Sequence, residues 1–161
     1  MQIVMAQYPI LGLFSHNLLV LLNDSGAVLE ELDGLATSAA GRIKPVGYLP
    51  SDRLLVHRFA APFLFQPQQR QALLFEGAEE AVRQRWQAAV CGGEAINALN
   101  LAYPFLGLGR NSNSVASTLI TCMGLAEPLI VGGKLAPWQG AQVLAAQQIA
   151  VIRAQAGSQV R

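Results

Sequence analysis

The sequence predicts an α+β domain in which an antiparallel sheet from the N-terminal half packs against helices from the C-terminal half. Short Val-, Leu- and Ile-rich runs separated by turn residues fill the first third of the chain, with Asn23-Asp24-Ser25-Gly26 as a hairpin signal between two of them. From Ala78 onward, apolar residues recur at helical spacing instead. A chain of 161 residues suits one domain able to bury a core without staples. The reading is a single domain over residues 1–156 with a flexible tail at 157–161.

In order, Ile3 to Ala6 reads as a short strand followed by a turn around Pro9 to Gly12. Phe14 to Leu22 and Ala27 to Leu32 read as the next two strands, so the first three elements form an antiparallel meander. Thr37 to Lys44 reads as a loop, Tyr48 to Asp52 as a turn, and Arg53 to Phe59 as a strand carrying His57. The Gln-Pro-Gln-Gln-Arg piece makes Pro62 to Gly77 a loop. Ala78 to Val90 is helical with Glu79 and Glu80 at its favourable end, Cys91-Gly92-Gly93 ends it, and Glu94 to Leu101 forms a second short helix. The last helix is expected from about Trp138 to Ala154, docking Val143, Leu144, Ile149 and Ile152 against the core.

Composition excludes some functions. Lys plus Arg number 11 against 10 Asp plus Glu, a balance that gives no electrostatic footprint for nucleic acid. Charged residues are 13% of the chain and hydrophobic ones 52%, which leaves little charge to cover the surface and points to an exposed apolar patch, a partner surface or a lipid-facing mouth. Cys91 and Cys122 lie in apolar helical segments and are expected to be unbridged; they make no zinc spacing, and neither a metal nor a cofactor is expected. The charge-free run from Met1 to Asn23 lacks a basic flank and a cleavage site, and Pro9, Gly12 and His16 interrupt it, so neither a signal peptide nor a transmembrane segment is expected. Synthesis in the cytoplasm is the default, with export that reads no N-terminal peptide left open.

The candidate site centres on Gly109-Arg110-Asn111-Ser112-Asn113-Ser114-Val115, a polar opening to a buried helix that stops at Gly124. Asn111 suits the N-cap, which puts Ser112 at the positive end of the helix dipole, either as an attacking hydroxyl or as one more cap. His16 begins the second strand, while Glu31 and Asp33 share a face near the end of the third. A hairpin folds the start of one strand beside the end of the next, so His16 should neighbour Glu31 and Asp33.

With these residues in place, the order of motifs resembles the permuted papain-like superfamily, which includes the NlpC-related hydrolases and the lecithin retinol acyltransferase-like enzymes. Ser15-His16-Asn17-Leu18-Leu19-Val20-Leu21 is similar to the histidine strand, Asn111-Ser112-Asn113-Ser114-Val115 stands where an Asn-Cys helix opening would stand, and Tyr103 precedes it as a Tyr often does. The Asn-Ser-Asn-Ser form also resembles bacterial proteins of this type, some attached to secreted toxins. The departure is Ser112 where the family pattern has Cys. A thiolate is intrinsically a strong nucleophile, whereas a hydroxyl needs a firmly held general base. The branch uses serine, or the cysteine has been replaced by an inactivating serine, or the site has decayed into a binding cleft.

The resemblance implies a papain-like fold and acyl hydrolysis or transfer at an amide or ester bond. Ser112 would be the nucleophile, His16 the general base, and Asp33 or Glu31 the group that fixes its tautomer, with Asn111, Asn113 and Tyr103 contacting substrate. The substrate would be a lipid or acyl compound or a cell-wall peptide, and the protein a bacterial secreted effector or toxin with a secretion-system or immunity partner. The alternative is a catalytically inactive papain-like domain that serves as a protein-binding module of a toxin or secretion system.

Overall fold

A computed structural model describes residues 1–10 and 12–158 of the chain. Its strands are β1 (Gln2–Ile10), β2 (Phe14–Leu22), β3 (Val28–Thr37), β4 (Ile43–Lys44), β5 (Arg53–Phe59) and β6 (Gln71–Glu76), and its helices are α1 (Glu79–Ala98), α2 (Ser112–Cys122) and α3 (Ala146–Ser158). The architecture is α+β, as expected: an antiparallel six-stranded sheet from the N-terminal half packs against three C-terminal helices. The sheet runs β4-β3-β2-β1-β6, and β5 lies along the other edge of β3, where Ala36 pairs with both Lys44 and Leu54. Among the described residues, no helix is long and apolar enough to cross a membrane.

Strand alternation divides the apolar residues between two faces. Ile3, Met5, Leu19, Leu21 and Leu32 meet Val82, Trp86, Val115, Leu119 and Ile149 in the main core. Val4, Ala6, Leu18, Val20 and Leu22 point the other way and are capped by Phe65 from the β5–β6 connection. Both faces of β1 and β2 are therefore covered, which is why these strands read as continuous apolar runs.

Several boundaries differ from the expectation. β1 extends through Pro9 to Ile10, because β6 pairs with β1 only as far as Ala6 and Pro9 lies where no second neighbour needs its missing N–H. Among the described residues the turn there is confined to Gly12 and Leu13. β3 runs on to Thr37 because β5 pairs with it from Glu31 to Thr37, and the expected Thr37 to Lys44 loop holds the two-residue β4. Within the expected Pro62 to Gly77 loop, Gln71–Glu76 forms the edge strand β6 against β1.

The expected break at Cys91-Gly92-Gly93 does not occur, and α1 is one 20-residue helix. These glycines allow close packing: a Cβ on Gly92 would stand 2.9 Å from the Cys122 sulfur, and one on Gly93 would stand 2.9 Å from a Val56 methyl. α3 starts at Ala146 rather than near Trp138. Residues 137–143 instead direct backbone groups to α2. The Trp138 carbonyl accepts from Ser114, the Gly140 N–H donates to Ser117, and the Val143 N–H donates to Thr118. Val143, Leu144, Ile149 and Ile152 are buried as expected. Gly157 and Ser158 of the expected tail belong to α3, and residues 159–161 lie outside the described residues. Cys91 and Cys122 are free thiols.

Candidate active site

The site lies where β2 and β3 part. Their pairing runs from Leu22 opposite Val28 to Leu19 opposite Leu32 and stops there. The start of β2 therefore keeps an unpaired edge facing the gap. The Ser15 N–H donates to the Leu135 carbonyl, and the carboxamide of Asn113 takes up the rest: its oxygen accepts from the Asn17 N–H at 2.8 Å and its nitrogen donates to the Ser15 carbonyl at 3.1 Å. Asn113 thus substitutes for a strand on either side of His16. Because it is the second residue of α2, the same bonds fix the helix opening beside the histidine.

The opening itself is built from the Asn-Ser-Asn-Ser motif. Asn111 is the N-cap as expected, accepting from the Asn113 N–H, while the Ser114 hydroxyl accepts from the Asn111 N–H in a capping box. Such a cap stabilises a helix by about 0.5–2 kcal/mol. Ser112 is the first residue of α2 and is buried, and its N–H is one of those with no acceptor inside the helix. α2 approaches β3 closely because Gly34 has no side chain: a Cβ there would stand 2.6 Å from the Cβ of Val115.

His16 and Asp33 are both buried, and His16 Nε2 lies 2.8 Å from Asp33 Oδ1. With Nε2 as the donor, Nδ1 is the nitrogen left for the cavity that His16 lines. The cavity is about 280 Å³ in volume and includes Ser112 and Tyr103 in its wall. Tyr8, Ile10, Leu35 and Phe63 make much of the rest apolar. The Ser112 side chain adjoins the Tyr103 phenol: burial pushes the phenol pKa above its ordinary value, and the neighbouring serine pulls it down. No hydrogen bond joins Ser112 to His16.

Glu31 has a different place from the one expected. It is fully buried and accepts from the N–H groups of Phe63, Leu64 and Phe65, so it holds the connection that closes the second sheet face. Burial first, then the Asp33 carboxyl, push it up to about 7 against the pull of the backbone donors. Asp33 Oδ2 has no hydrogen-bond partner among the described residues, and the nearby Asp33 carboxyl is one of the causes that favour a proton on Glu31. Asn111 and Asn113, expected to contact substrate, are absent from the cavity wall. Asn111 Nδ2 donates to the Gly107 carbonyl, and Asn113 Nδ2 also reaches the Pro137 carbonyl.

The sequence reading singled out none of the cavity's apolar walls. It also missed Lys44, whose ammonium bonds the buried Asp52 at 2.6 Å and lies 3.5 Å from the Tyr48 ring centre beside the cavity. His57 is a β5 residue as expected; burial lowers its pKa, the Asp33 charge opposes that, and its Nε2 lies 2.8 Å from the Thr37 hydroxyl. No group of metal-binding side chains occurs among the described residues. No protein-family model, no curated protein and no solved structure matches the chain.

Proposed function

We propose that the domain is a permuted papain-like acyl hydrolase or acyltransferase acting on an amide or ester bond. Ser112 is the nucleophile, His16 the general base and Asp33 the group that orients it. The observation that carries this reading is the His16–Asp33 bond at the wall of a cavity shared with Ser112. Asp33 holds the imidazole through Nε2, which leaves Nδ1 to take a proton. The reaction requires the Ser112 hydroxyl to be directed at His16 across the cavity that both line. Its oxygen then attacks the substrate carbonyl as the proton passes to His16. The resulting oxyanion faces the Ser112 N–H and the Tyr103 phenol, groups of the type that stabilise such charge. Collapse expels the leaving group, protonated by His16, and water or an acceptor hydroxyl releases the acyl group from Ser112.

The position of the Ser112 side chain beside the Tyr103 phenol favours a second reading, in which the cleft binds a partner without chemistry, as a module of a toxin or secretion system would. Comparing the native chain with Ser112→Ala and Ser112→Cys on acyl esters, phospholipids and muropeptides decides between them. Activity of the native chain that Ser112→Ala abolishes marks a serine enzyme. Activity only in Ser112→Cys marks a site that lost its cysteine, and none in any form leaves the binding module.

A further inference from the structure

Loops anchored at the opening of α2 carry exposed large apolar side chains. The β1–β2 hairpin, tied to Asn113 through Ser15, presents Leu13 at 73% exposure and Phe14. The 127–138 segment, tied through Pro137 and Trp138, presents Leu135 and Trp138 at 65% and 51%. The 105–108 segment, tied through Gly107, presents Phe105 and Leu108, the latter at 77%. The hairpin and the 127–138 segment are also continuous, since Phe14 bridges Leu135 and the Leu135 N–H donates to the Leu13 carbonyl. Water has no favourable use for such a set, and exposed apolar clusters of this kind mark interaction sites.

Charge along the sheet axis says which partner fits. At the end of the sheet where β2 begins and β3 finishes, the exposed charges are basic: Arg42, Arg70, Arg110 and Lys134. The acids at that end are withdrawn. Asp33 and Asp52 are buried on His16 and Lys44, and half-buried Glu127 is bonded to Ser117. Asp24, Glu76, Glu79 and Glu80 are exposed at the opposite end, where β1 begins and β6 finishes, with Asp24 paired to the Met1 ammonium and Glu79 to Arg83. The near-neutral net charge hides this separation.

We infer that the crown around the α2 opening docks on an anionic lipid surface, with Leu13, Phe14, Leu135, Trp138, Phe105 and Leu108 entering the interface and the basic residues meeting lipid phosphates. Apolar tips flanked by Lys and Arg, with Trp at the boundary, are the composition such a surface retains. Protruding loops suit a soft bilayer better than a flat protein face. The inference needs no chemistry at Ser112, so it stands or falls apart from the proposed reaction.

Vesicles of phosphatidylcholine alone and of an equimolar mixture with phosphatidylglycerol test it. The full chain should sediment with the mixed vesicles, less so as salt rises, and Ser112→Ala should behave the same. The two tryptophans are Trp138 and the buried Trp86, so a blue-shifted emission on binding reports Trp138 entering lipid. Leu13→Ser with Leu108→Ser should weaken partitioning by about tenfold or more. Arg110→Glu should weaken it on mixed vesicles, and Val151→Ser on α3 should not. Failure to sediment, binding indifferent to these substitutions, or a dimer that Leu13→Ser and Leu108→Ser dissolve would each overturn the inference.

Discussion

His16 Nε2 lies 2.8 Å from Asp33 Oδ1 although the two strands that carry them have already stopped pairing. The bond therefore crosses a gap rather than a ladder, and both partners are buried within it. Asp33→Asn keeps the size but, with its oxygen still on Nε2, removes the charge that would stabilise an imidazolium; turned around, it selects the wrong tautomer. In the proposed reaction the loss is about 10³–10⁴-fold in kcat with KM little changed. Steady-state kinetics with a circular dichroism control checks this, and a variant that keeps full activity rules out Asp33 as the group that orients His16.

Asn113 links that gap to the helix, because it satisfies Asn17, Ser15 and Pro137 at once. Asn113→Ala leaves these backbone groups without a partner, at about 1–3 kcal/mol for each one that stays buried. The expected total is about 3 kcal/mol or more, read from denaturant unfolding. Asn113→Asp retains only the acceptor for Asn17 and sets a carboxylate against two carbonyls, so it should rescue little. A stability change within about 0.5 kcal/mol would place these bonds outside the stability of the fold.

These two residues show how far the sequence could be read. The hairpin signal at Asn23 to Gly26 fixed which ends of β2 and β3 meet, and hence the approach of His16 to Asp33. It carried no information on where the strands separate, which depends on Asn113 and Leu135 far along the chain. Cap chemistry was local, so Asn111 and Ser112 were legible. Gly92 and Gly93 were not, because a helix-breaking pair and a close-packing pair look alike until Cys122 and Val56 arrive beside them. Glu31 was legible as a neighbour of Asp33 but not as an anchor, since its partners are backbone N–H groups that any sequence offers. β6 escaped notice because an edge strand needs only one partner and shows little alternation.

Glu31 also sets a pH dependence. Its folded pKa of about 7 exceeds the ordinary 4.5, so between these values the folded state holds a proton that the unfolded state has released. Stability on this account falls as pH rises from about 4.5 to about 7 and changes no further above that window. Glu31→Gln should flatten this slope while lowering stability at its acid end, because one side of the carboxamide cannot accept from the backbone donors. Urea unfolding across the window measures both effects. An unchanged slope in the variant would assign the dependence to another group.

Gly34 sets the distance between α2 and β3. Gly34→Ala puts a methyl where Val115 already stands, an overpacking expected to cost about 1–3 kcal/mol. Because α2 carries Ser112, relief by shifting the helix would move the proposed nucleophile away from His16, and in the proposed reaction small misplacements lower rates steeply. Activity measured well below the melting temperature should therefore fall by more than the folded fraction does. Equal losses would mean the strain is absorbed away from the helix opening.

Tyr103 gives the sharpest separation of chemistry from structure. Its ring fills the space against Gly47, where a Cβ would stand 2.4 Å from the ring, and its phenol lies beside the Ser112 side chain. Tyr103→Phe preserves the packing and deletes only the hydroxyl. If the phenol donates to the developing oxyanion, kcat should fall by about 10²–10³-fold with the melting temperature nearly unchanged. If it merely holds the Ser112 hydroxyl away from His16 in the free protein, its removal should raise the reaction of Ser112 with a fluorophosphonate probe, read by intact mass. Tyr103→Ala would lose the packing as well, and its comparison with Phe isolates the contribution of the ring. Unaltered kinetics and labelling in Tyr103→Phe would confine Tyr103 to packing and leave the Ser112 N–H as the donor for the oxyanion.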